Sequence, residues 1–416
     1  MATRALLILT ALNLLDYLDR YLIASLGSLV KGEMGLSDRA FGFLGTAFFL
    51  VYFLSSPIFG YLGDRFGRIR LMAGGAVLWS LATSLTFWVV SYPALVLARG
   101  LVGVGEASFG TLAPAYLADL LPLRRRSRAL GFFYLALPVG SAAAYLVGGL
   151  VGSKWGWRPA FLFAGIPGML LAALVLWLPG AGGREVAGKA VEPVPPSLIS
   201  QHLTGLWTGA RDLWRLRTLR LVTLGYGMVT FTTGGLAFWM PRYLEAAKGL
   251  DMAQANYLLF GSVTVAGGLG ILTGGFLGDR LLKYTLKAPL LVSGLGVALS
   301  IPLVALAFFA TAPALYISGL AGAIFLLFLN PGVLTAVVVS VAGPQRRAQA
   351  VALNIVVIHL VGDVPSPFLI GWIADLWELK WGVSLTLVAL LAGAVLILKA
   401  MPHLSRDLKA AGELTD

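Results

Sequence analysis

Arg99 and Glu106 stand seven residues apart in a long apolar stretch, two helical turns apart on one face. A second charged group, Asp16, Asp19 and Arg20, lies in another apolar stretch, NLLDYLDRYLIAS. A charge at hydrocarbon depth costs about 3 kcal/mol even on lenient scales, so such groups are kept for a reason. Asp16 and Arg20 are at i and i+4 and are predicted to pair along one helix face. Asp19 and Arg20 are adjacent and diverge by about 100°. If the two stretches pack together, Arg99 reaches Asp19 or Asp16, and Glu106 is expected nearer the periplasmic side. Burial and a neighbouring arginine act on a carboxylate in opposite directions, so an acid that exchanges an arginine partner changes its proton affinity. That is the chemistry of proton coupling; a static ion cluster that fixes helix packing is the alternative.

Other polar groups stand out from the apolar background. GYLGDRFGRIR, from Gly60, places Asp64, Arg65 and Arg68 at the end of an apolar run, and GGFLGDRLLKYTLK, from Gly274, repeats its opening with Asp279 and Arg280. Asp64 is suited to helix N-terminal N–H groups or an arginine, and the arginines to lipid phosphates. His359 and Asp363 are at i and i+4 ahead of Pro365 and Pro367. They form either a pair that titrates near neutrality or a polar helix contact beside a kink. Asn330 beside Pro331 reads as a helix break lined by an amide. Thr230, Thr232 and Thr233 either face a cavity or bond to their own backbone. Phe238 and Trp239 read as packing. There is no cysteine, and the three histidines are too scattered for metal ligation. The spacing of Gly103, Gly105 and Ser108 imitates a nucleotide fingerprint but has no preceding strand. No nucleophile–base pair, phosphate loop or ATP motif is visible, so the chain reads as no enzyme, with no cofactor beyond the proton as coupling ion.

The elements that hold these residues are membrane helices. Of the 416 residues 58% are hydrophobic and 12% charged, about half the charge of a soluble domain. Twelve apolar runs long enough to span a bilayer are read at about 5–30, 39–61, 70–91, 93–121, 128–153, 157–178, 219–244, 252–278, 288–310, 313–341, 347–374 and 381–401. The net charge of +12 is one-sided: of 31 Lys and Arg, 22 fall on the even-numbered connections and the termini, and 7 on the odd-numbered ones. This is the positive-inside bias and places both termini in the cytoplasm. It describes a face against anionic lipid and not a nucleic-acid surface. Trp155, Trp157, Trp377 and Trp381 fall near the opposite ends, as interfacial aromatics do.

Three segments follow: a six-helix half over 1–179, a cytoplasmic linker over 180–218, and a second six-helix half over 219–416. The linker opens with Pro193, Pro195 and Pro196, then sets Leu203, Leu206, Trp207, Ala210, Leu213 and Trp214 on one face backed by Arg211, Arg215 and Arg217. That pattern predicts an amphipathic helix on the leaflet surface. The match of Asp64 with Asp279 and a weaker one of Arg126 with Arg347 make the halves pseudo-symmetric.

GYLGDRFGRIR resembles the loop 2–3 signature of the major facilitator superfamily. Within it NLLDYLDRY, GVGEASFGTLAP, FYLALPVG, FTTGGLAFWMPRYL, LFLNPG and HLVGDVPSP resemble the Spinster-like lipid transporters, over essentially the full length. The resemblance departs at Asp16, where the family is expected to carry Asn. It implies the all-α major facilitator fold, with spans one and four in contact. It implies proton sensing and substrate binding at Asp19, Arg20, Arg99 and Glu106. The loop of Asp64, Arg65 and Arg68 is implied to close the cytoplasmic side, with a weaker counterpart at Asp279 and Arg280, and lysophospholipids or sphingolipids are the implied substrates.

The residue placement leads to the same class separately. Deep charges are concentrated in the first half, while spans seven to ten offer Met, Phe, Leu and a few hydroxyls. One ionic and one apolar wall suit an amphiphile, its head at Arg20 and Arg99. A proton-coupled carrier of such a substrate, alternating access between its halves, is therefore expected. Acids Asp16, Asp19 and Glu106 would serve coupling, and Thr233, Asn330, His359 and Asp363 would be polar cavity groups. Multidrug efflux and a non-transporting sensor or scaffold are the alternatives. The expected setting is a multi-pass monomer in a plasma membrane, read as a bacterial inner membrane.

Overall fold

The computed structural model describes residues 2–121, 123–178, 209–343 and 346–413, and the side chains of these except 64, 65, 118, 123–128 and 348. The described residues are helical throughout, joined by short turns. In the first half run α1 (Ala2–Ser25), α2 (Gly27–Met34), α3 (Asp38–Phe66), α4 (Arg68–Leu85) and α5 (Tyr92–Leu120). They continue as α6 (Leu123–Tyr134), α7 (Ala136–Val147), α8 (Ser153–Trp155) and α9 (Trp157–Val175). A short helix α10 covers 209–215. The second half holds α11 (Arg217–Lys248), α12 (Met252–Ser262), α13 (Gly268–Leu282), α14 (Ala288–Phe309) and α15 (Pro313–Leu327). It ends with α16 (Asn330–Ala342), α17 (Arg347–Val361), α18 (Ser366–Leu376) and α19 (Leu379–Ala410).

Helix ends follow local chemistry. Gly35 closes α2 in the left-handed region at φ 63°, and the Ser37 hydroxyl caps α3 by accepting from the Ala40 N–H at 3.2 Å. Proline stands in the first turn of α5, α14 and α15, where its missing N–H costs nothing.

Among the described residues, eleven helical segments are long and apolar enough to cross a membrane. The twelfth span is α1, whose 24 residues include Arg4, Asp16, Asp19 and Arg20; its charge, not its length, sets it apart. Leu54, Leu97, Leu170, Leu272, Leu299 and Val388 are exposed on the helix surfaces, as lipid-facing side chains are.

The chain resolves into two compact units. One comprises the described residues of Met1–Glu192 with Ala237–Gly261 and Pro367–Leu379, the other those of Pro193–Leu236, Ser262–Ser366 and Lys380–Asp416. In the first, α5 packs along α3 and α4, and α1 along α7 and α9. In the second, α14 packs on α15 and α16, and α16 on α17. Of the expected linker helix, Leu203, Leu206 and Trp207 lie outside the described residues. Leu213 of α10 is fully buried by protein, where the sequence reading set that face on lipid.

Candidate functional site

The glycine string of α5 sets the site's spacing. A side chain at Gly103 would meet the Phe48 carbonyl at 2.6 Å, and one at Gly105 the Gly75 carbonyl at 2.5 Å. Without side chains there, α5 lies directly on the backbones of α3 and α4. Arg99 and Glu106 are thereby carried to α1.

Arg20 is the centre of the cluster. Its Nη2 donates to Asp16 Oδ2 at 3.1 Å and to Glu106 Oε2 at 2.9 Å, and its Nε donates to Glu106 Oε2 at 3.1 Å. The guanidinium faces the rings of Tyr17, Tyr52 and Phe48 at 4.7, 5.1 and 5.3 Å, which supplies cation–π attraction in place of water. Asp16 and Glu106 are brought side by side on one guanidinium nitrogen. Two bare carboxylates repel, whereas a shared proton makes that contact attractive.

Arg99 interacts electrostatically with Asp19, as the sequence reading expected, but without a direct salt bridge. It is buried, with 2% exposed, yet the described structure gives it no ion pair with Asp19 or Asp16. Its Nη2 donates to the Arg20 backbone carbonyl at 3.3 Å, and its guanidinium stacks on Phe48 at 4.8 Å. Nε and Nη1 have no partner, nor do Asp16 Oδ1, Asp19 Oδ1 and Glu106 Oε1. Asp19 accepts from the hydroxyl of Thr83 on α4. Thr83 was missed by the sequence reading, and nothing in the string LATSLTFW singles it out.

The depth of Glu106 is also corrected. Tyr92, at the start of α5, donates to the Ala40 carbonyl at 3.0 Å, in the first turn of α3 and beside the turn that follows α2. Arg99 is nearer that end, and Glu106 lies deeper, beside Asp16. The reason is direction: α1 and α5 run oppositely, so moving from residue 99 to 106 moves away from the end where α1 finishes.

That end, called outer here after the charge bias, holds a second polar network. Asp38 accepts from Lys31 of α2 at 2.8 Å and from Arg242 of α11. Asp375 of α18 accepts from the backbone N–H groups of Asp38 and Arg39 at 2.6 and 2.9 Å, at the α3 N-terminus where the helix dipole favours an anion. Trp239 Nε1 donates to the Pro367 carbonyl at 3.0 Å, and Phe41 packs on the rings of Phe238 and Trp239. Trp157, expected at the interface, is buried and donates to Glu33 at 2.7 Å. The hydrogen bond from Arg158 holds the Glu33 carboxyl below the usual carboxylate range.

The remaining predicted residues divide. The side chains of Asp64 and Arg65 lie outside the described residues. Arg68 pairs with Asp119 at the end of α5, a partner the sequence reading did not name. Asp279 and Arg280 are exposed, Arg280 over the Phe276 ring at 5.6 Å. Thr233 donates to the Thr230 carbonyl at 3.3 Å and Thr230 to that of Tyr226 at 3.0 Å, so both hydroxyls bond to their own helix. Asn330 is fully buried at the break between α15 and α16, its amide donating to Leu326 and Leu327 carbonyls at 3.2 and 2.9 Å. His359 Nδ1 stands 2.5 Å from Asp363 Oδ2, in the break between α17 and α18.

Residues 9–362 match the family model of the Major Facilitator Superfamily. The chain is 34% identical over 412 residues to protein spinster homolog 1 of Mus musculus, covering 92% of this chain and 75% of that protein. It is 34% identical over 442 residues to the sphingosine-1-phosphate transporter SPNS2 of Mus musculus, covering 97% and 78%. The fold matches the crystal structure of a bacterial homolog to the human lysosomal transporter Spinster in an inward-facing, occupied conformation, with TM-score 0.80, 21% identity and 97% of each chain covered. A D-xylose–proton symporter matches at TM-score 0.72 and 18% identity, covering 97% of this chain and 98% of that one. The chain belongs to the Spinster family of the major facilitator superfamily, and is a multi-pass membrane transporter of that type.

Proposed function

We propose that this transporter is a proton-coupled secondary carrier of an amphiphilic, lipid-like substrate of the lysophospholipid or sphingolipid class. It works by alternating access between the six-helix halves 1–179 and 219–416. The observation that carries the proposal is the convergence of Asp16 and Glu106 on the one guanidinium of Arg20. Fully ionised, the buried group of Asp16, Asp19, Glu106, Arg20 and Arg99 sums to −1. Low-dielectric surroundings favour a neutral sum, and one proton supplies it. Any step that draws Arg20 from this pair releases two carboxylates from their shared cation and changes how strongly they hold the proton.

The substrate class rests on chemistry and on kinship. Arg99 has two unpartnered donors for an anionic head, while Thr230, Thr232 and Thr233 of α11 donate to backbone carbonyls. A relative at 34% identity is a sphingosine-1-phosphate transporter. Multidrug efflux and a non-transporting sensor are the rival readings. The proton is the coupling ion, with no other cofactor, and the carrier acts as a monomer in a plasma membrane with both termini cytoplasmic.

The test is accumulation of a fluorescent lysophospholipid in proteoliposomes under an imposed pH gradient, with the membrane potential clamped. One proton per cycle corresponds to about 1.4 kcal/mol per pH unit, an accumulation of about tenfold per unit. The wild type should show that slope, and Glu106→Gln should equilibrate substrate without accumulating it. Lipid flux indifferent to the gradient in the wild type sinks the coupling. Competing dye flux without lipid flux favours efflux, and no flux of either leaves the sensor.

A further inference from the structure

Ser80, Thr83, Ser84 and Thr86, on α4 and the turn after it, are all buried. Ser84 donates to the Ser80 carbonyl at 2.8 Å and Thr86 to the Ala82 carbonyl at 2.9 Å, the bond by which a hydroxyl on a helix satisfies itself. Thr83 has the Trp79 carbonyl at the same offset, yet it donates to Asp19 Oδ2 on α1. A hydroxyl that leaves its own helix for a carboxylate on another fixes where that carboxylate points.

Asp19 has a stronger partner nearby. Arg99 of α5 acts on it electrostatically, and both side chains are buried at 2% exposed, yet the described structure gives them no ion pair. Asp19 Oδ1, Arg99 Nε and Arg99 Nη1 have no partner. A charge-assisted pair would satisfy such atoms in a medium where an unpaired charge is costly. Two sets of contacts hold the groups apart. Arg99 is anchored by its Nη2 bond to the Arg20 carbonyl at 3.3 Å and by the Phe48 ring at 4.8 Å. Asp19 is anchored by Thr83. The turn that carries Thr83 is itself fixed: a side chain at Gly105 of α5 would stand 2.7 Å from the Trp79 nitrogen, and one at Gly165 of α9 would stand 2.6 Å from the Ser80 carbonyl oxygen. With α5 and α9 lying directly on its backbone, this turn cannot follow Asp19 towards Arg99.

We propose that Thr83 is a positioning residue that sets the carrier's preference for an anionic head. By engaging Asp19 it keeps the protein's own carboxylate off Arg99 and leaves that guanidinium to the substrate. This role rests on the reading of Arg99 as the seat of the head. Without the hydroxyl, Asp19 turns to Arg99, and a substrate must displace an internal acid to bind.

The experiment is a titration of a fluorescent anionic lysophospholipid into the purified full chain in nanodiscs. Thr83→Val, which keeps the branched shape and removes the hydroxyl, should bind it about tenfold more weakly, since the head then competes with a charge-assisted pair. Thr83→Ser should restore wild-type affinity. Adding Asp19→Asn to Thr83→Val should restore it too, because the competing carboxylate is gone. A merely structural role of Thr83 predicts neither recovery. Size-exclusion profiles establish that each variant is folded, and Thr83→Ala takes the place of Thr83→Val should that variant fail. Affinity unchanged in Thr83→Val, or not recovered with Asp19→Asn, overturns the inference and leaves Arg99 as the head site. A wild type that binds no lysophospholipid overturns the substrate reading instead, and unfolding then decides the role of Thr83. The coupling between Asp19→Asn and Arg99→Gln, read from unfolding constants in a double-mutant cycle, should be about tenfold larger with Thr83→Val present than without it. Equal coupling in the two backgrounds overturns the inference whatever the ligand does.

Discussion

If the halves alternate, the outer network around Asp38 must break when the outer side opens, and its geometry says which bonds matter. Lys31 and Asp38 belong to one hairpin, since only residues 35–37 separate α2 from α3. Their 2.8 Å pair moves as a body and contributes nothing to closure. Arg242 binds the same carboxylate from α11, with side-chain exposures of 18% and 12%. A charge-assisted hydrogen bond contributes about 1.5–3 kcal/mol, and partial exposure lowers this to about 1–2 kcal/mol. Removing it by Arg242→Ala should raise the outward-open population about 5- to 30-fold. Asp375→Asn, which weakens the α18 cap on α3, should act in the same direction, and Lys31→Ala should do little. The chain has no cysteine, so spin labels at Gly32→Cys, where a side chain meets open space, and at exposed Trp377→Cys report the separation directly. Electron–electron distance distributions should gain a longer component in Arg242→Ala. If that variant keeps the wild-type distribution, or if Lys31→Ala shifts it equally, the network is not a closure device.

Two further outcomes follow from single contacts. Arg99→Lys should weaken binding of a fluorescent anionic lysophospholipid about tenfold or more, because the forked donors are lost. The unfolding temperature should change little, since the guanidinium makes one hydrogen bond, to a backbone carbonyl; equal lipid affinity in titrations would refute this role. Arg158→Gln should lower the unfolding temperature slightly at neutral pH, Glu33 being half-exposed. A carboxyl whose folded pKa is lowered stabilises above its unfolded pKa and loses this as pH falls through the folded one. Melting curves from pH 7 to 3 should therefore show the two proteins converging at the acid end, and a gap that persists there contradicts the assignment.

What the sequence made legible was whatever is local. Apolar runs of membrane length located the spans to within a few residues, as with 288–310 against Ala288–Phe309. The Asp16–Arg20 pair was legible because i and i+4 share a helix face. The first run, read as one span over 5–30, ends instead at Ser25, and the chain re-enters a separate helix at Gly27. The bond from Arg20 to Glu106 and that from Thr83 to Asp19 depend on how α1, α4 and α5 are rotated about their axes, which no single helix specifies. The Asp38–Arg242 and Asp375–α3 contacts were invisible for a related reason. Each partner alone is an ordinary charged residue near a helix end, and the partners lie 204 and 337 positions apart.

Asp16 gives the cluster its particular character. With asparagine at that position, Asp19 and Glu106 against Arg20 and Arg99 would sum to zero when fully ionised, and the resting cluster would need no proton. Asp16 adds one negative charge beside Glu106 and one further acceptor on Arg20, at 3.1 Å. Under the proposed coupling, a neutral resting cluster would hold a proton between the two acids, and Arg99, whose Nε and Nη1 are unpartnered, would offer its donors to the substrate. An anionic head bound at Arg99 would then make the buried sum negative again and favour a second proton. On that proposal substrate and proton would reinforce each other's binding through net charge alone, without requiring contact between the lipid head and Glu106.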